Sequence, residues 1–197
     1  MTHPRSELFD LLLRQSVAFG EFTLKSGAKS NFYIDCRLTA LDARGAVLIG
    51  EVLYPLITQK AAELGVKPVA AGGLTLGADP VSLAVAIRSH LAGGHPLFHA
   101  FCVRKERKDH GRGKQIEGRF QAGDVVVAID DVVTSGASTL AAIEAIEREG
   151  GKVAFVACLV DRDEGGRESL EARGYPVISA YRKHEFLERH QTGPAIS

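Results

Sequence analysis

Val125-Val126-Val127-Ala128-Ile129-Asp130-Asp131-Val132-Val133-Thr134-Ser135-Gly136-Ala137-Ser138-Thr139 is an apolar run that meets two carboxylates, then a hydroxyl-rich turn around Gly136, then the start of a helix. Valine and isoleucine without polar alternation read as a strand buried on both faces, the habit of parallel sheets covered by helices. In an open α/β sheet the ligand site lies at the carboxyl ends of the strands. A helix that starts there offers unpaired N–H groups and the positive end of its dipole, so Thr134 to Ser138 is a candidate phosphate cradle. The two acids before it would repel a phosphate. They suit a neighbour that is electropositive or rich in hydroxyls, such as a ribose or a metal ion. A bare turn with solvated acids and capping hydroxyls is the plainer alternative, and the ordered succession of strand, Asp-Asp, two valines and Thr-Ser-Gly-Ala-Ser argues against it. No Gly-Lys-[Ser/Thr] ending is present, so the segment is not a P-loop.

Working outward, short β-rich runs at Val69–Ala71, His99–Val103, Val153–Val160 and Val177–Ala180 alternate with helix-like segments at Pro80–Leu91, Ser138–Arg148 and Arg167–Arg173. That alternation predicts a mainly parallel sheet flanked by helices, an α/β fold. Toward the N-terminus, Ser6 is expected to cap a helix carrying Leu8, Phe9, Leu12, Leu13 and Val17 at helical spacing. Two extended stretches follow, Phe22–Leu24 and Phe32–Asp35. A helical pattern from Ala43 to Leu64 stops at Gly65, and Pro55 is expected to kink or split it. The organisation expected is an N-terminal helix and small hood over residues 1–42, followed by an α/β core over 43–197.

The chain has 197 residues, 45% hydrophobic and 24% charged, with 24 basic against 24 acidic side chains. This composition excludes a disordered chain, a collagen-like repeat and a disulfide miniprotein. Zero net charge argues against nucleic-acid binding. Apolar runs such as Val153–Val160 are too short to span a bilayer, and Glu7, Asp10 and Arg14 interrupt any signal-like stretch. Cys36, Cys102 and Cys158 are far apart and odd in number, as expected of free thiols in the cytoplasm.

Charge is nonetheless segregated locally. Val103-Arg104-Lys105-Glu106-Arg107-Lys108-Asp109-His110-Gly111-Arg112-Gly113-Lys114 sets six basic residues and His110 against two acids. Gly111, Gly113 and Gly118 deny it a stable helix or strand. Alone it reads as a solvated loop. Beside the phosphate cradle it reads as a cationic loop that closes over a departing pyrophosphate and excludes water.

The acid-rich turn resembles the phosphoribosyl-pyrophosphate (PRPP) signature of the type I phosphoribosyltransferases. The stretch Arg104–Gly111 resembles the catalytic loop of the orotate phosphoribosyltransferases, Phe22–Asp35 their base-binding element, and Val160-Asp161-Arg162 their orotate-binding arginine. These matches follow the family's order from Phe22 to Arg162. The resemblance implies a central mainly parallel sheet with an N-terminal hood. It also implies transfer of the phosphoribosyl group of PRPP to N1 of orotate, releasing pyrophosphate and giving orotidine 5′-monophosphate in pyrimidine biosynthesis.

Carried over residue by residue, the resemblance implies that Asp130 and Asp131 contact the ribose hydroxyls. Val132, Val133, Thr134, Ser135, Gly136, Ala137 and Ser138 would wrap the 5′-phosphate, and Lys25, Arg104, Lys105, Lys108 and His110 would reach PRPP and its pyrophosphate. Lys105, Lys108, His110 and Asp131 are the residues expected to take part in the chemistry. Gly72–Pro80 stands where many members have an aromatic residue and a lysine, so here Thr75 and backbone amides are expected to substitute. Tyr33 and Ile34 would stack on or flank the pyrimidine, Thr134 would also touch it, and Arg162 would hold its carboxylate through two parallel hydrogen bonds. Mg²⁺ is implied as the cofactor, held mainly through PRPP and by no side chain directly. A homodimer with the basic loop acting across the interface is implied as well, with no nucleic-acid or membrane partner. Two other readings share the fold: transfer to another nucleobase, and a PRPP-sensing regulator without activity. The Lys25–Asp35 element and Arg162 oppose the first, since a neutral base has no carboxylate to pair, and the intact basic loop opposes the second.

Overall fold

The computed structural model describes residues 3–23, 29–93, 98–106 and 114–192. In chain order the elements are α1 (Pro4–Gln15), β1 (Val17–Thr23), β2 (Lys29–Ile34), α2 (Arg37–Ala40), α3 (Ala43–Glu63), β3 (Ala70–Leu74), α4 (Ala78–Leu91) and β4 (His99–Val103), followed by β5 (Ile116–Gly118), β6 (Val125–Val133), α5 (Ala137–Arg148), β7 (Lys152–Asp161), α6 (Gly166–Glu171), β8 (Val177–Arg182) and α7 (Lys183–Thr192). Six strands form one sheet in the order β5-β4-β3-β6-β7-β8. All its pairings are parallel except the antiparallel β4–β5 edge.

β6 lies inside the sheet and is covered on both sides. Val127 and Ile129 face one core with α1, α3 and α4, while Val126 and Ala128 face the α5 side. Strand periodicity divides the apolar run between two cores, which is why every position in it is apolar. Each such valine or isoleucine contributes about 1.5–3 kcal/mol when fully buried, enough that a polar residue is not tolerated there.

β1 and β2 form a separate antiparallel hairpin. Its Phe32 is wholly buried, with ring centroids 6.0 Å from Phe19 and 6.1 Å from Phe186 of α7, and Phe186 stacks at 4.6 Å on Phe9 of α1. The same core contains Leu159 of β7 and Tyr181 of β8. The aromatic cluster thus ties the hairpin to the carboxyl ends of the last two strands.

Several sequence expectations are corrected. α1 is capped by His3, whose Nδ1 accepts from the Arg5 N–H at 3.3 Å; Ser6 lies within the helix, and Pro4 occupies its first turn, where a missing N–H does no harm. Val17 belongs to β1. Pro55 does not split α3, which runs from Ala43 to Glu63 as one helix; the residue lies on an exposed side, so the carbonyl it leaves without a helical donor can face water. The edge strand β5 was too short to register in the sequence. β6 also continues through both aspartates to Val133 instead of ending before them.

Candidate active site

Five parallel strands end on one edge of the sheet, and each is followed by a polar residue. Across that edge run Arg104 after β4, Thr75 after β3, Thr134 after β6, Arg162 after β7 and Lys183 after β8. On one side of the edge Leu74 lies opposite Val103, and on the other Val133 lies opposite Asp161 and Asp161 opposite Arg182; between them Gly72 pairs with Ala128, so β6 runs on past the end of β3 and sets its two aspartates beside the β3–α4 connection. Chain topology therefore gathers residues more than a hundred positions apart into one row.

At the centre of the row stand Asp130 and Asp131, consecutive residues of β6 whose carboxyl groups act on each other's ionisation. Asp130 Oδ2 accepts from Thr139 Oγ1 at 2.6 Å and Ser138 Oγ at 2.9 Å, locking strand β6 to the first turn of α5. Asp131 turns toward the β3–α4 connection, where a Cβ built on Gly77 would lie 2.4 Å from its Oδ1. Burial is the leading cause that pushes the Asp130 carboxyl up to about 7, opposed by the two hydroxyls, and burial raises Asp131 as well. The Arg37 guanidinium pulls Asp131 the other way, although Arg37 is itself paired with Asp35 at 2.7 Å.

The turn expected to cradle a phosphate is built on Gly136, whose φ of +79° favours glycine. Ala137 opens α5, and no side chain caps the helix, which leaves its first N–H groups available to an anion. Thr134 is half-buried, and Ser135, Ala137 and Ser138 are exposed. Val133 differs: its side chain is in the core and its carbonyl accepts from the Arg162 N–H at 2.9 Å, so only its backbone could face a ligand. Beneath the turn, α6 comes so close that a Cβ on Gly166 would lie 2.5 Å from the Thr134 carbonyl oxygen.

On one flank, Thr75 N–H donates to the Val103 carbonyl at 3.0 Å, and the Thr75–Leu76 peptide is cis. Arg104 is fastened by its backbone to Gln115, and its Nη1 lies 3.5 Å from Glu117 Oε1. Lys105 is exposed at the start of the basic loop. Lys108 and His110, like Lys25 of the N-terminal element, lie outside the described residues.

On the other flank, Arg162 is almost fully buried, with its Nη2 3.0 Å from Glu164 Oε1 and 3.5 Å from the Phe32 carbonyl. Its Nε is buried with no hydrogen-bond partner among the described residues. A guanidinium held with an open donor is suited to a planar anion. Asp161 builds the turn that carries it, accepting from Arg167 Nε at 2.7 Å and from the Asp163 N–H at 3.0 Å. Tyr33 and Ile34 alternate along β2: Tyr33 is exposed, whereas the Ile34 side chain belongs to the hydrophobic core. The two side chains thus face opposite ways, and only Tyr33 presents its side chain at the surface.

The row includes residues that sequence reasoning missed. Glu164 meets Arg162, Lys183 meets Glu164 in turn, and Phe32 lies against Arg162, only because β2, β7 and β8 converge. In sequence Phe32 stood within the Phe22–Asp35 element and Glu164 two residues after Arg162, but nothing there joined them to each other or to Lys183. Among the described residues no group of three or more His, Cys, Asp or Glu side chains could hold a metal ion.

Comparison with known proteins adds an independent line. Residues 66–177 match the family model of the phosphoribosyl transferase domain. The chain is 42% identical over 168 residues to the orotate phosphoribosyltransferase of Rhodopirellula baltica, covering 85% of this chain and 86% of that one. It is 40% identical over 186 residues to the Aquifex aeolicus enzyme of the same name, covering 93% and 97%. Among solved structures, the Mycobacterium tuberculosis H37Rv orotate phosphoribosyltransferase superposes with a TM-score of 0.77 at 38% identity in its Fe(III) dicitrate complex, covering 93% of this chain and 99% of that one. Its complex with PRPP superposes at 0.75 and 34% identity, with the same coverage.

Proposed function

The chain belongs to the phosphoribosyltransferase family, in its orotate phosphoribosyltransferase branch, and from that premise we propose that it joins N1 of orotate to C1′ of PRPP, giving orotidine 5′-monophosphate and pyrophosphate. The observation that carries the reading is the row of strand ends, which sets an uncapped helix N-terminus beside a buried arginine with an open donor. Phosphate suits the first and a base bearing a carboxylate the second.

Roles follow from position. The turn 134–138 and the α5 N-terminus hold the 5′-phosphate. Asp131, beside Gly77, faces the ribose, and Asp130 steadies the turn through Ser138 and Thr139. Arg162 grips the orotate carboxylate and Tyr33 covers the ring. As the C1′–O bond breaks, positive charge grows on the sugar and negative charge on pyrophosphate. Thr75, Arg104 and Lys105 stand where the leaving group emerges; Lys108 and His110, further along the same basic segment of the sequence, are the residues proposed to bind it, either of them able to pass a proton. Such donors act most strongly where water is excluded. Mg²⁺ fits as an ion carried by the phosphate oxygens of PRPP, where it would neutralise charge on the leaving group.

A homodimer is part of the proposal. Leu41, Leu76, Leu83 and Leu91 are exposed on one face that runs to the loop beside Asp131. A second copy covering that face would stand close enough to offer its basic loop to the site. No helix among the described residues is long and apolar enough to cross a membrane. The free thiols of Cys36, Cys102 and Cys158 fit a cytoplasmic location.

The test follows orotate absorbance on mixing the protein with PRPP and Mg²⁺, with uracil and hypoxanthine in parallel. Consumption of orotate alone, dependent on both PRPP and Mg²⁺, is expected. Turnover of another base instead would retain the fold and overturn the assignment of Arg162. Silence with all three, from folded protein that binds PRPP, would identify a regulator.

A further inference from the structure

We propose that Glu164, itself held by Lys183, is a positioning residue that fixes the Arg162 guanidinium for the carboxylate of the base and so sets the preference for an anionic over a neutral pyrimidine. The inference rests on the orotate-transfer reading and assigns the second layer of that site.

A single carboxylate oxygen, Glu164 Oε1, lies 3.0 Å from Arg162 Nη2 and 3.0 Å from Lys183 Nζ. The two cations also share the face of one ring: Arg162 Cζ is 6.0 Å and Lys183 Nζ 5.7 Å from the Phe32 centroid. All three charged side chains are largely withdrawn from water, with 8% of Arg162, 26% of Glu164 and 19% of Lys183 exposed. Ion pairs on open surfaces wander; this one is confined by an aromatic wall and two strand ends.

The geometry leaves Arg162 half-engaged. Glu164 and the Phe32 carbonyl occupy Nη2, while Nε is buried with no partner among the described residues. Glu164 therefore fixes the plane of the guanidinium without using up its donors. Lys183 keeps Glu164 from acting as a rival to the substrate, because the shared oxygen is already engaged on its far side. The charges agree: two cations and one carboxylate leave one positive charge, which a single substrate carboxylate neutralises and a neutral base does not. A buried charge left uncompensated is unfavourable, so the cluster disfavours uracil as it favours orotate. Asp163, next in the chain, is not part of this cluster; it pairs with Arg182 and His184.

The experiment uses the full-length protein and the variants Glu164→Gln, Glu164→Asp and Lys183→Met, with KM measured separately for orotate and PRPP and melting temperature recorded for each. Glu164→Gln is expected to raise the orotate KM about tenfold while the PRPP KM and kcat stay within about twofold, and to reduce orotate-over-uracil discrimination by the same factor. Glu164→Asp recovers part of the loss, and Lys183→Met, which preserves the apolar cover of Phe32, shifts orotate KM in the same direction. An unchanged orotate KM overturns the proposal. A lower one overturns it too, showing that Glu164 competes with substrate, as does an equal rise in both KM values, the mark of general disturbance. If Glu164→Gln does not fold, the same split is read from Lys183→Met. A wild-type protein that consumes no orotate would sink the functional reading itself and this inference with it, whereas an active wild type with insensitive variants would sink only this inference.

Discussion

At the scale of one residue, Asp130 shows binding and stability pulling apart. Its carboxyl ionises with difficulty in the folded chain: burial lifts it from the ordinary 3.8 to about 7. Below pH 3.8 it is protonated in both the folded and unfolded states and exacts no penalty. As the pH rises, the unfolded chain ionises first, so folding weakens through the interval between those two values and stays weakened above it. Asparagine would keep an acceptor for Thr139 and Ser138 but carry no charge. Asp130→Asn is therefore expected to melt above wild type at pH 8, by about 2–4 °C for each kcal/mol relieved, and to lose that advantage near pH 4. Thermal melts without substrate at the two pH values would decide it, and equal melting at pH 8 would mean that the buried charge is already compensated. A gain would identify Asp130 as a residue kept to order the turn at the start of α5 at a cost to overall stability.

At the scale of elements, the site depends on one connection supporting another. The turn 134–136 rests on the N-terminus of α6, some thirty residues further along the chain. A methyl group on Gly166 would meet the Thr134 carbonyl oxygen at 2.5 Å and the Gly136 nitrogen at 2.9 Å, both backbone atoms that cannot swing away. Overpacking of this kind costs about 1–3 kcal/mol or moves the neighbour. Gly166→Ala is thus expected to raise the PRPP KM about tenfold or more, with the far-ultraviolet circular dichroism unchanged. An unchanged PRPP KM would show that α6 does not buttress the turn. The sequence presents Gly165-Gly166 only as a turn, and the case illustrates what local pattern carries. Strands and helices that alternate over contiguous residues, and a phosphate turn that follows its own strand, are written in one stretch. The unsplit α3 was hidden because a proline removes one helical hydrogen bond wherever it sits, and only the structure shows that Pro55 is exposed, where water can take up the loss. The company of Arg162 was hidden because Phe32, Glu164 and Lys183 belong to three segments that meet only when the sheet and hairpin close.

At the scale of the whole molecule, one apolar surface is left without a cover by the described residues. Leu38 and Leu41 around α2, Val47 of α3, Leu76 after β3, and Leu83, Ile87 and Leu91 of α4 are each more than half exposed. They line two adjoining grooves of about 490 and 780 Å³ that share Leu41, Pro80 and Leu83. Single exposed leucines are ordinary, but a contiguous apolar face is the mark of an interface. Its position matters more than its area. The face runs through Leu76 to Gly77, against which Asp131 lies, so a partner docked there stands at the pyrophosphate flank and away from Arg162. The double variant Leu83→Glu, Ile87→Glu places two charges on that face without touching the core. It is expected to sediment as a monomer, to lose about tenfold or more in kcat if the partner's basic loop completes the site, and to bind orotidine 5′-monophosphate nearly as wild type does. Analytical ultracentrifugation beside steady-state kinetics separates the cases. A monomer with full turnover would confine catalysis to one chain, and an intact dimer would place the contact on another face. A monomer that holds the nucleotide but turns over slowly would mean that each copy builds its own base and phosphate sites and relies on its neighbour for the departure of pyrophosphate.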